Sequence, residues 1–382
     1  MKRPNPFLYI PLAGLLKVFA IIKGQRFKNH CKIQGPAIVL SNHTSFYDFI
    51  YTTAALYPRR VTYLAASKMF YESQTKFFLK LARAVPKSLM QADPVASLKA
   101  FRILKKNGIV SVFPEGQISP SGKTLKPSFS IAKFLKKAAV NVYVVKHEGA
   151  GLVNPPWNKK TYAGLIETSY HHLCTPEELQ NLSLDAIYDK VYDALYFEPS
   201  AYLNNPHHIY KDQSLEGLEH VIYECPTCLK EGLVSKDHQL VCPSCGLTLT
   251  YHSGLLEQKG VDLWFKEQET RLRKIIDQTE NYTISSPVEL QSFRKGKLIT
   301  VGHGELTLDH EKYIYQGTVD GLNQELRFHV KDIPTLPSDI GRNIQIYQND
   351  QIYQFEMKNP FLPTKFVHVA EYLHEKSLFD VR

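Results

Sequence analysis

The chain has 382 residues and carries a formal net charge of +9 at pH 7. A chain of this length exceeds what one hydrophobic core usually fills, so we expect about two or three domains. The charge favours anionic partners, which include nucleic acids, phospholipid surfaces and phosphorylated small molecules. Six cysteines are too few for a disulfide scaffold, which excludes a small disulfide-stapled secreted domain.

The N-terminal segment, residues 1–30, predicts a membrane-interfacial helix. Residues 7–22 are almost wholly apolar and are followed by basic residues such as Lys23 and Arg26. A bilayer-spanning helix needs about 20 apolar residues, whereas an interfacial helix needs only an apolar side and basic flanks. We therefore expect peripheral or monotopic attachment to the cytoplasmic side of the cell membrane. A buried core helix is the alternative, and the lack of a small-x-small cleavage site disfavours a signal peptide.

Residues 31–205 predict an α/β domain. Short runs rich in β-branched residues alternate with longer stretches of helical period, which is the pattern of a sheet covered by helices. The predicted strands are residues 37–40, 61–65, 109–113 and 142–145.

Helix-start signals support this alternation. Asp93 stands before a first-turn proline, and Thr175 stands three residues before a capping-box glutamate. A further helix is predicted over residues 183–196, and its inward face carries Ile187, Val191 and Leu195.

Two polar motifs follow predicted strands. The first places His43 five residues before Asp48, and the second is Phe113-Pro114-Glu115-Gly116. A histidine can take a proton from a hydroxyl while a carboxylate orients its ring and stabilises the imidazolium. Because open α/β sheets bind ligands at the carboxyl ends of their strands, we expect both motifs at one sheet edge. A histidine and an aspartate alone would be weak evidence, but the second motif on the same sheet makes the pair specific.

With these two motifs, residues 1–200 resemble the glycerolipid acyltransferase family, which includes the 1-acylglycerol-3-phosphate acyltransferases. The resemblance implies that His43 is the general base and that Asp48 orients it. It also implies that an acceptor hydroxyl attacks the thioester of acyl-CoA or an acyl-carrier protein directly, without an acyl-enzyme. The implied acceptor is a lysophospholipid, 1-acylglycerol-3-phosphate, in phospholipid biosynthesis. Residues implied to hold the acceptor are Asn42, Phe113, Glu115 and Gly116.

Several positions depart from the family pattern. Where the family often has Thr-Arg-Ser after Glu-Gly, this chain has Gln117-Ile118-Ser119 and so lacks the arginine. Lys87 stands where the family places an arginine that resembles a phosphate ligand, and lysine keeps the charge but loses the bidentate contact. Lys126 lies in a stretch that replaces a lysine-then-glycine element. Both lysines are candidate substrate contacts, and a solvated surface lysine is the alternative for each.

Residues 220–255 predict a structural zinc site. Thirteen residues separate two Cys-Pro-x-Cys pairs, so the two turns can close on one tetrahedral ion. The segment resembles a zinc ribbon, and a complete set of four thiolates makes Zn²⁺ structural. The expected ligands are Cys225, Cys228, Cys242 and Cys245. The lone Cys31 and Cys174 are interpreted as packing residues.

A helical connector, residues 256–280, leads to a β-rich segment at residues 281–382. Predicted strands over 297–301, 305–308, 313–315, 325–330, 344–347 and 351–357 are separated by Gly, Asn or Asp turns. They predict a small antiparallel β-barrel that is closed by a C-terminal helix over residues 364–376. This order of elements resembles the pleckstrin-homology-like fold.

Two functions from different classes fit the sequence. One is a membrane-attached acyltransferase whose partners are a phospholipid surface, an acyl donor and a lysophospholipid acceptor. The alternative is a zinc-ribbon nucleic-acid-binding or membrane-adaptor protein without catalysis, because a basic chain with a zinc ribbon is also typical of such modules. The two strand-end motifs favour the enzyme, since an adaptor does not need a base and its orienting acid at one sheet edge. Nucleic acid is therefore disfavoured as a partner.

Overall fold

A computed structural model describes residues 3–29, 31–70, 73–87, 93–294, 297–348 and 351–379. The chain divides into two compact units. Unit 1 comprises Met1–Pro156, Lys160–Asp212 and Ser253–Leu255, and unit 2 comprises Trp157–Lys159, Gln213–His252 and Leu256–Arg382.

Unit 1 contains a seven-stranded mixed sheet with helices on it. Its strands are β1 (Gln25–Lys28), β2 (Ala37–Leu40), β3 (Val61–Ala66), β4 (Val85–Lys87), β5 (Ile109–Val112), β6 (Asn141–Glu148) and β7 (Ile166–Cys174). The order is β1-β7-β6-β2-β5-β3-β4, and β2 pairs in parallel with both β5 and β6. Its helices are α1 (Pro6–Ile22), α2 (Asp48–Leu56), α3 (Ser73–Leu81), α4 (Pro94–Leu104), α5 (Ser130–Ala138), α6 (Ala150–Val153), α7 (Pro176–Asn181), α8 (Leu184–Leu195) and α9 (Pro199–Leu203).

The four predicted strands and the helix-start signals of unit 1 are confirmed. All four residues of β2 are buried, because helices cover both faces of the sheet. The Asp93 side chain accepts from the amide of Ala96, and Thr175 forms the predicted capping box. Strand β1 was not predicted, because its sequence Gln-Arg-Phe-Lys contains no apolar run.

Helix α1 begins after an Asn5 N-cap and ends at Ile22. It presents large apolar side chains to solvent, including Phe7 at 86% exposure and Leu15 at 69%. Within the described part of the chain, no helix combines the length and apolar character needed to cross a bilayer.

Unit 2 contains two antiparallel sheets. The first is formed by β8 (Val234–Lys236), β9 (Gln239–Val241), β10 (Thr248–His252), β11 (Leu255–Leu256) and β12 (Lys259–Gly260), and the helix α10 (Val261–Gln278) follows it. The second is formed by β13 (Ile284–Arg294), β14 (Lys297–Leu308), β15 (Lys312–Val319), β16 (Leu322–His329), β17 (Ser338–Asp339), β18 (Asn343–Gln348) and β19 (Gln351–Met357), with α11 (Leu362–Phe379) last. Its order is β16-β15-β14-β13-β19-β18-β17. The antiparallel pairing and the C-terminal helix are confirmed, while barrel closure stays a prediction.

Two predicted strands, 297–301 and 305–308, are one continuous strand, β14. Gly302 and Gly304 suggest a turn in the sequence, but in the structure they allow close contact with β15. A Cβ at Gly302 would lie 1.6 Å from the carbonyl oxygen of Thr318, and one at Gly304 would lie 2.3 Å from that of Gln316. The missed strand β13 contains Pro287, and an internal proline argues against a strand.

Candidate active site

His43 and Asp48 contact one another at the carboxyl end of β2. His43 lies three residues beyond that strand, and Asp48 is the first residue of α2. The distance from His43 Nδ1 to Asp48 Oδ2 is 3.1 Å, and the same oxygen accepts from the amides of Thr44 at 2.7 Å and Ser45 at 2.8 Å. The Asp48 side chain is fully buried, whereas 20% of the His43 side chain is exposed. With Nδ1 as the donor to the carboxylate, the histidine presents Nε2 as its basic nitrogen.

The loop after β5 holds the main chain of His43 on both sides. Glu115 Oε1 accepts from the His43 amide at 2.7 Å, and the amide of Ser119 donates to the His43 carbonyl at 2.8 Å. The other oxygen of Glu115 accepts from the amide of Leu125 at 2.8 Å. Burial raises the pKa of Glu115 well above its usual range, and these two amides oppose the rise. Glu115 therefore braces the His43 loop, and its contact with an acceptor stays a prediction.

Phe113 supports the face of the histidine ring. The ring centroids of His43 and Phe113 are 4.5 Å apart at an interplanar angle of 26°, and Phe113 stacks in turn on Tyr63. Gly116 has a φ of +78°, a conformation that favours glycine, and its amide bonds back to the Phe113 carbonyl. The tight turn thus stacks the Phe113 ring on the His43 ring and brings the Glu115 carboxylate to the His43 amide.

Asn42 links β2 to β6 beyond the end of the β2 strand. Its Nδ2 donates to the carbonyl of His147 at 2.9 Å, and its Oδ1 accepts from the amide of His147 at 2.7 Å. The side chain is fully buried. The observed contacts of Asn42 therefore position the chain just before His43, and a contact with substrate stays a prediction.

Lys87 and Lys126 lie on segments other than the His43 loop. Lys87 ends β4, which is three strands from β2 in the sheet, and that is about 14 Å at the usual strand spacing. Burial lowers the pKa of Lys87, and the charge of Asp93 opposes the fall. Lys126 is exposed and follows Leu125, whose amide binds Glu115. Phosphate contacts by either lysine stay predictions.

The four predicted zinc cysteines of unit 2 converge on one point. All four Sγ atoms lie within 4.8 Å of one another. The Cys225–Cys245 and Cys228–Cys242 sulfur pairs are each 3.6 Å apart. A tetrahedral zinc with bonds of about 2.3 Å would set its sulfurs about 3.8 Å apart, so the cluster fits such an ion.

Backbone turns build this cluster. The amide of Cys225 donates to Lys230, and that of Cys242 donates to Leu247, so each pair of cysteines sits on a closed turn. Although burial raises the pKa of Cys242, the amides of Cys245 and Ser244 lower it overall to about 6. The turn therefore favours the thiolate at Cys242, whereas at Cys245 the Leu247 amide lowers the pKa but burial and the neighbouring sulfurs raise it overall.

Sequence reasoning missed two supports of the site, Ser119 and His147. Ser119 contacts His43 through its backbone amide, a group that nearly every residue type has, so the sequence does not indicate the contact. His147 lies in β6, two residues beyond the predicted strand 142–145, and nothing in its spacing indicated that it meets the His43 loop.

Comparison with known proteins assigns part of the chain. Residues 22–147 match the protein family described as Acyltransferase. Among solved structures, the chain is similar to the 1-acyl-sn-glycerophosphate (LPA) acyltransferase PlsC from Thermotoga maritima, with 19% identity and a TM-score of 0.42 over 50% of this chain and 76% of that one. It is also similar to SsgB of Streptomyces coelicolor, with 12% identity and a TM-score of 0.15 over 27% of this chain and 89% of that one. The comparison with curated proteins gave no match.

The family match covers β2, β5 and nearly all of β6, and it includes both motifs that meet around His43. Residues 22–147 are therefore similar to an acyltransferase domain.

Proposed function

We propose that this protein transfers a fatty acyl group from a thioester donor to the free hydroxyl of a lysophospholipid. The contact between His43 Nδ1 and Asp48 Oδ2, at 3.1 Å within the acyltransferase-like domain, carries the proposal. The acceptor that best fits the motifs is 1-acylglycerol-3-phosphate. The donor is acyl-CoA or an acyl-carrier protein, and the reaction belongs to phospholipid biosynthesis.

In the proposed reaction, Nε2 of His43 takes the proton of the acceptor hydroxyl as its oxygen attacks the thioester carbonyl. Asp48 holds the ring in the required orientation and stabilises the imidazolium that forms. The tetrahedral intermediate then collapses with cleavage of the carbon–sulfur bond. The imidazolium returns its proton to the departing thiolate, which leaves the new ester, a free thiol and neutral His43.

Other residues are proposed to hold the acceptor beside this base. Phe113 and Gly116 form the turn next to the His43 ring, which makes them candidates for the glycerol portion. Lys87 and Lys126 are proposed phosphate contacts. They carry charge without the planar two-point contact of arginine.

Two accessory roles complete the proposal. The four-cysteine cluster is proposed to bind a structural Zn²⁺, because four thiolates leave no open position for chemistry. The exposed apolar face of α1 is proposed to lie at the cytoplasmic membrane surface as a peripheral or monotopic attachment. Replacing the exposed Phe7 and Leu15 of α1 with serine leaves β1 intact and should reduce binding to anionic vesicles, and unchanged sedimentation with the vesicles would refute this attachment.

The test of the reaction is an assay with labelled acyl donors and a panel of lysophospholipids and glycerol phosphates. His43→Ala should lower kcat by about 1,000-fold or more, because positioned general bases contribute about 100-fold to 10,000-fold. Asp48→Ala should also abolish most turnover. His172→Ala is a matched control, because His172 is an exposed histidine of β7 whose described hydrogen bond is to Asn141. Retained turnover in His43→Ala would contradict the proposed mechanism.

A further inference from the structure

A buried polar network lies beneath the His43 loop and uses a histidine that the proposed reaction does not. His147 belongs to β6, and its ring bonds on both sides: Nε2 to Thr52 Oγ1 at 2.8 Å and Nδ1 to Thr168 Oγ1 at 2.9 Å. Thr52 Oγ1 also donates to Ser41 Oγ at 3.2 Å, and Thr168 accepts from Gln25 Nε2 at 2.7 Å. All five side chains are at least 99% buried.

The hydrogen-bond directions fix one tautomer of His147. Since the Thr52 hydroxyl gives its hydrogen to Ser41, it must accept from His147, which places a hydrogen on Nε2. The Nδ1 atom then accepts, and the Thr168 hydroxyl donates to it while accepting from Gln25. A neutral His147 ring therefore has a donor or an acceptor for each hydrogen bond of this network. Burial lowers the pKa of His147 to about 4, against a smaller opposing effect of the Asp48 charge, which agrees with a neutral ring near pH 7.

This network joins the two ends of the His43 loop. Ser41 and Asn42 form the entry to the loop, and both are tied to His147, one through Thr52 and the other through the His147 backbone. Thr52 lies four residues after Asp48 on α2, which is about one helical turn. A shift of Thr52 along the sheet would move Asp48 relative to His43.

We propose that His147 is a positioning residue that sets the His43–Asp48 geometry by bridging Thr52 on α2 to the end of β2. This inference rests on the proposed function, because His147 acts only through the proposed base and its orienting acid. It adds a hydrogen bond between His147 and Thr52 that supports the His43–Asp48 pair without using Nε2 of His43, the proposed base.

The experiment removes the Thr52 hydroxyl, with its bonds to His147 and Ser41, in one variant and keeps a hydroxyl in a second, smaller variant. Thr52→Val keeps the shape of the side chain and removes the hydroxyl, whereas Thr52→Ser restores the hydroxyl. Thr53→Val is the structural control, because Thr53 is a buried neighbour on α2 whose hydroxyl bonds to Phe49 and Tyr63 and not to His147. Full-length variants are assayed for kcat and KM with the acyl donor and lysophospholipid that the wild type uses.

We expect Thr52→Val to lower kcat by about 10-fold to 100-fold with KM changed less than about twofold, because small displacements of reacting groups have effects of that size. Thr52→Ser should recover most of the loss, and Thr53→Val should lower thermal stability without lowering kcat. In an Asp48→Asn background, Thr52→Val should cost less than about twofold more, because both changes act on one contact. A wild-type kcat in Thr52→Val, or the same loss in both backgrounds, would overturn the proposal.

A second measurement does not depend on turnover. The ring ¹⁵N signals of His147, assigned by their loss in His147→Gln, should show a neutral ring with hydrogen on Nε2 at pH 7. An Nδ1–H tautomer or an imidazolium would also overturn the proposal. Absence of turnover in the wild type with every donor and acceptor would instead refute the proposed function, and the ring spectrum would still decide the tautomer.

Discussion

The His43 loop and the cysteine cluster are both short backbone segments that carry chemically active side chains, and they are held in different ways. The cysteine cluster joins residues that are 20 positions apart or fewer, and backbone bonds close each of its turns. The His43 loop is held by Glu115, 72 positions beyond His43, and by His147, 105 positions beyond Asn42. The first site can therefore form locally around an ion, whereas the second exists only when the sheet of unit 1 has formed.

The largest effect that separates the two sites should come from removing one cysteine. Cys225→Ser removes one of four thiolates, and metal binding supplies about 10 kcal/mol of folding free energy in small zinc modules. We expect the purified variant to lose its zinc and residues 220–255 to lose protection from hydrogen exchange. Protection of β2 and β6 should not change, because their hydrogen bonds do not depend on the ion.

Metal analysis and hydrogen exchange on the same samples test this prediction. Cys31→Ser is the matched control, because Cys31 is a cysteine outside the cluster. Wild-type protein with about one zinc per chain and a zinc-free Cys225→Ser variant would support the proposed site. Wild-type protein without metal would contradict it.

The difference between a locally formed cysteine cluster and a His43 loop held by distant residues explains which features the sequence could predict. Cysteine spacing alone predicted a cluster that the structure confirms, because ligands on two tight turns meet without help from the rest of the fold. The meeting of His43 with the Phe113–Gly116 turn was predictable because parallel neighbours such as β2 and β5 end at one sheet edge.

The supports of the His43 loop were not predictable in the same way. Glu115 was expected to face an acceptor, yet both of its oxygens bind backbone amides. Amides carry no residue-specific signal, so the chain gives no sign of which ones a buried carboxylate will meet. The bond between His147 and Thr52 likewise depends on how α2 packs against β6. The spacing of apolar residues in the helix and in the strand predicts each element but not the contact between them.

A smaller effect should follow from changes at Glu115. Glu115→Ala leaves the amides of His43 and Leu125 without their acceptor, and a donor that loses its partner costs roughly 2 kcal/mol, so unfolding free energy should fall by about 4 kcal/mol. Glu115→Gln keeps one acceptor oxygen and should lose about half as much. Urea unfolding measures both losses, and kcat should fall in the same order because the His43 backbone is released. Equal stability of Glu115→Ala and wild type would show that the brace is not needed.

Acidification should remove the stabilising contribution of one buried histidine in each unit, while the raised pKa values of Glu115 in unit 1 and Glu371 in unit 2 act in the opposite direction. Burial lowers the pKa of His147 in unit 1 and of His368 in unit 2 to about 4, from the ordinary value of about 6.5. Between these values each histidine binds more protons in the unfolded chain than in the folded one, so its own contribution to stability rises with pH over this window and is lost as pH falls. Each histidine should cost about 2 kcal/mol between pH 7 and pH 5.

Hydrogen exchange in peptides from β6 and α11 at the two pH values measures these losses separately. His147→Gln should flatten the pH dependence in β6 and leave that in α11 unchanged. The two histidines also differ, because His147 has partners on both nitrogens while no described residue bonds to Nε2 of His368. Opening free energies in β6 are taken from exchange rates corrected for the pH dependence of intrinsic exchange, and the same pH dependence in wild type and His147→Gln would contradict a neutral, buried His147.

The smallest effect should come from Ser119→Ala. This change distinguishes the role of the Ser119 hydroxyl from that of the Ser119 backbone amide. The Ser119 hydroxyl donates to the carbonyl of Lys123 at 2.5 Å, whereas its amide donates to His43. The variant loses the first bond and keeps the second, so we expect about 1 kcal/mol lower unfolding free energy and kcat within about twofold of wild type. A large fall in kcat with unchanged stability would mean that the hydroxyl, not the amide, supports His43. Retained kcat would mean that the backbone amide of Ser119 supports the His43 loop. Every residue except proline has such an amide, which explains why residue types did not indicate this support.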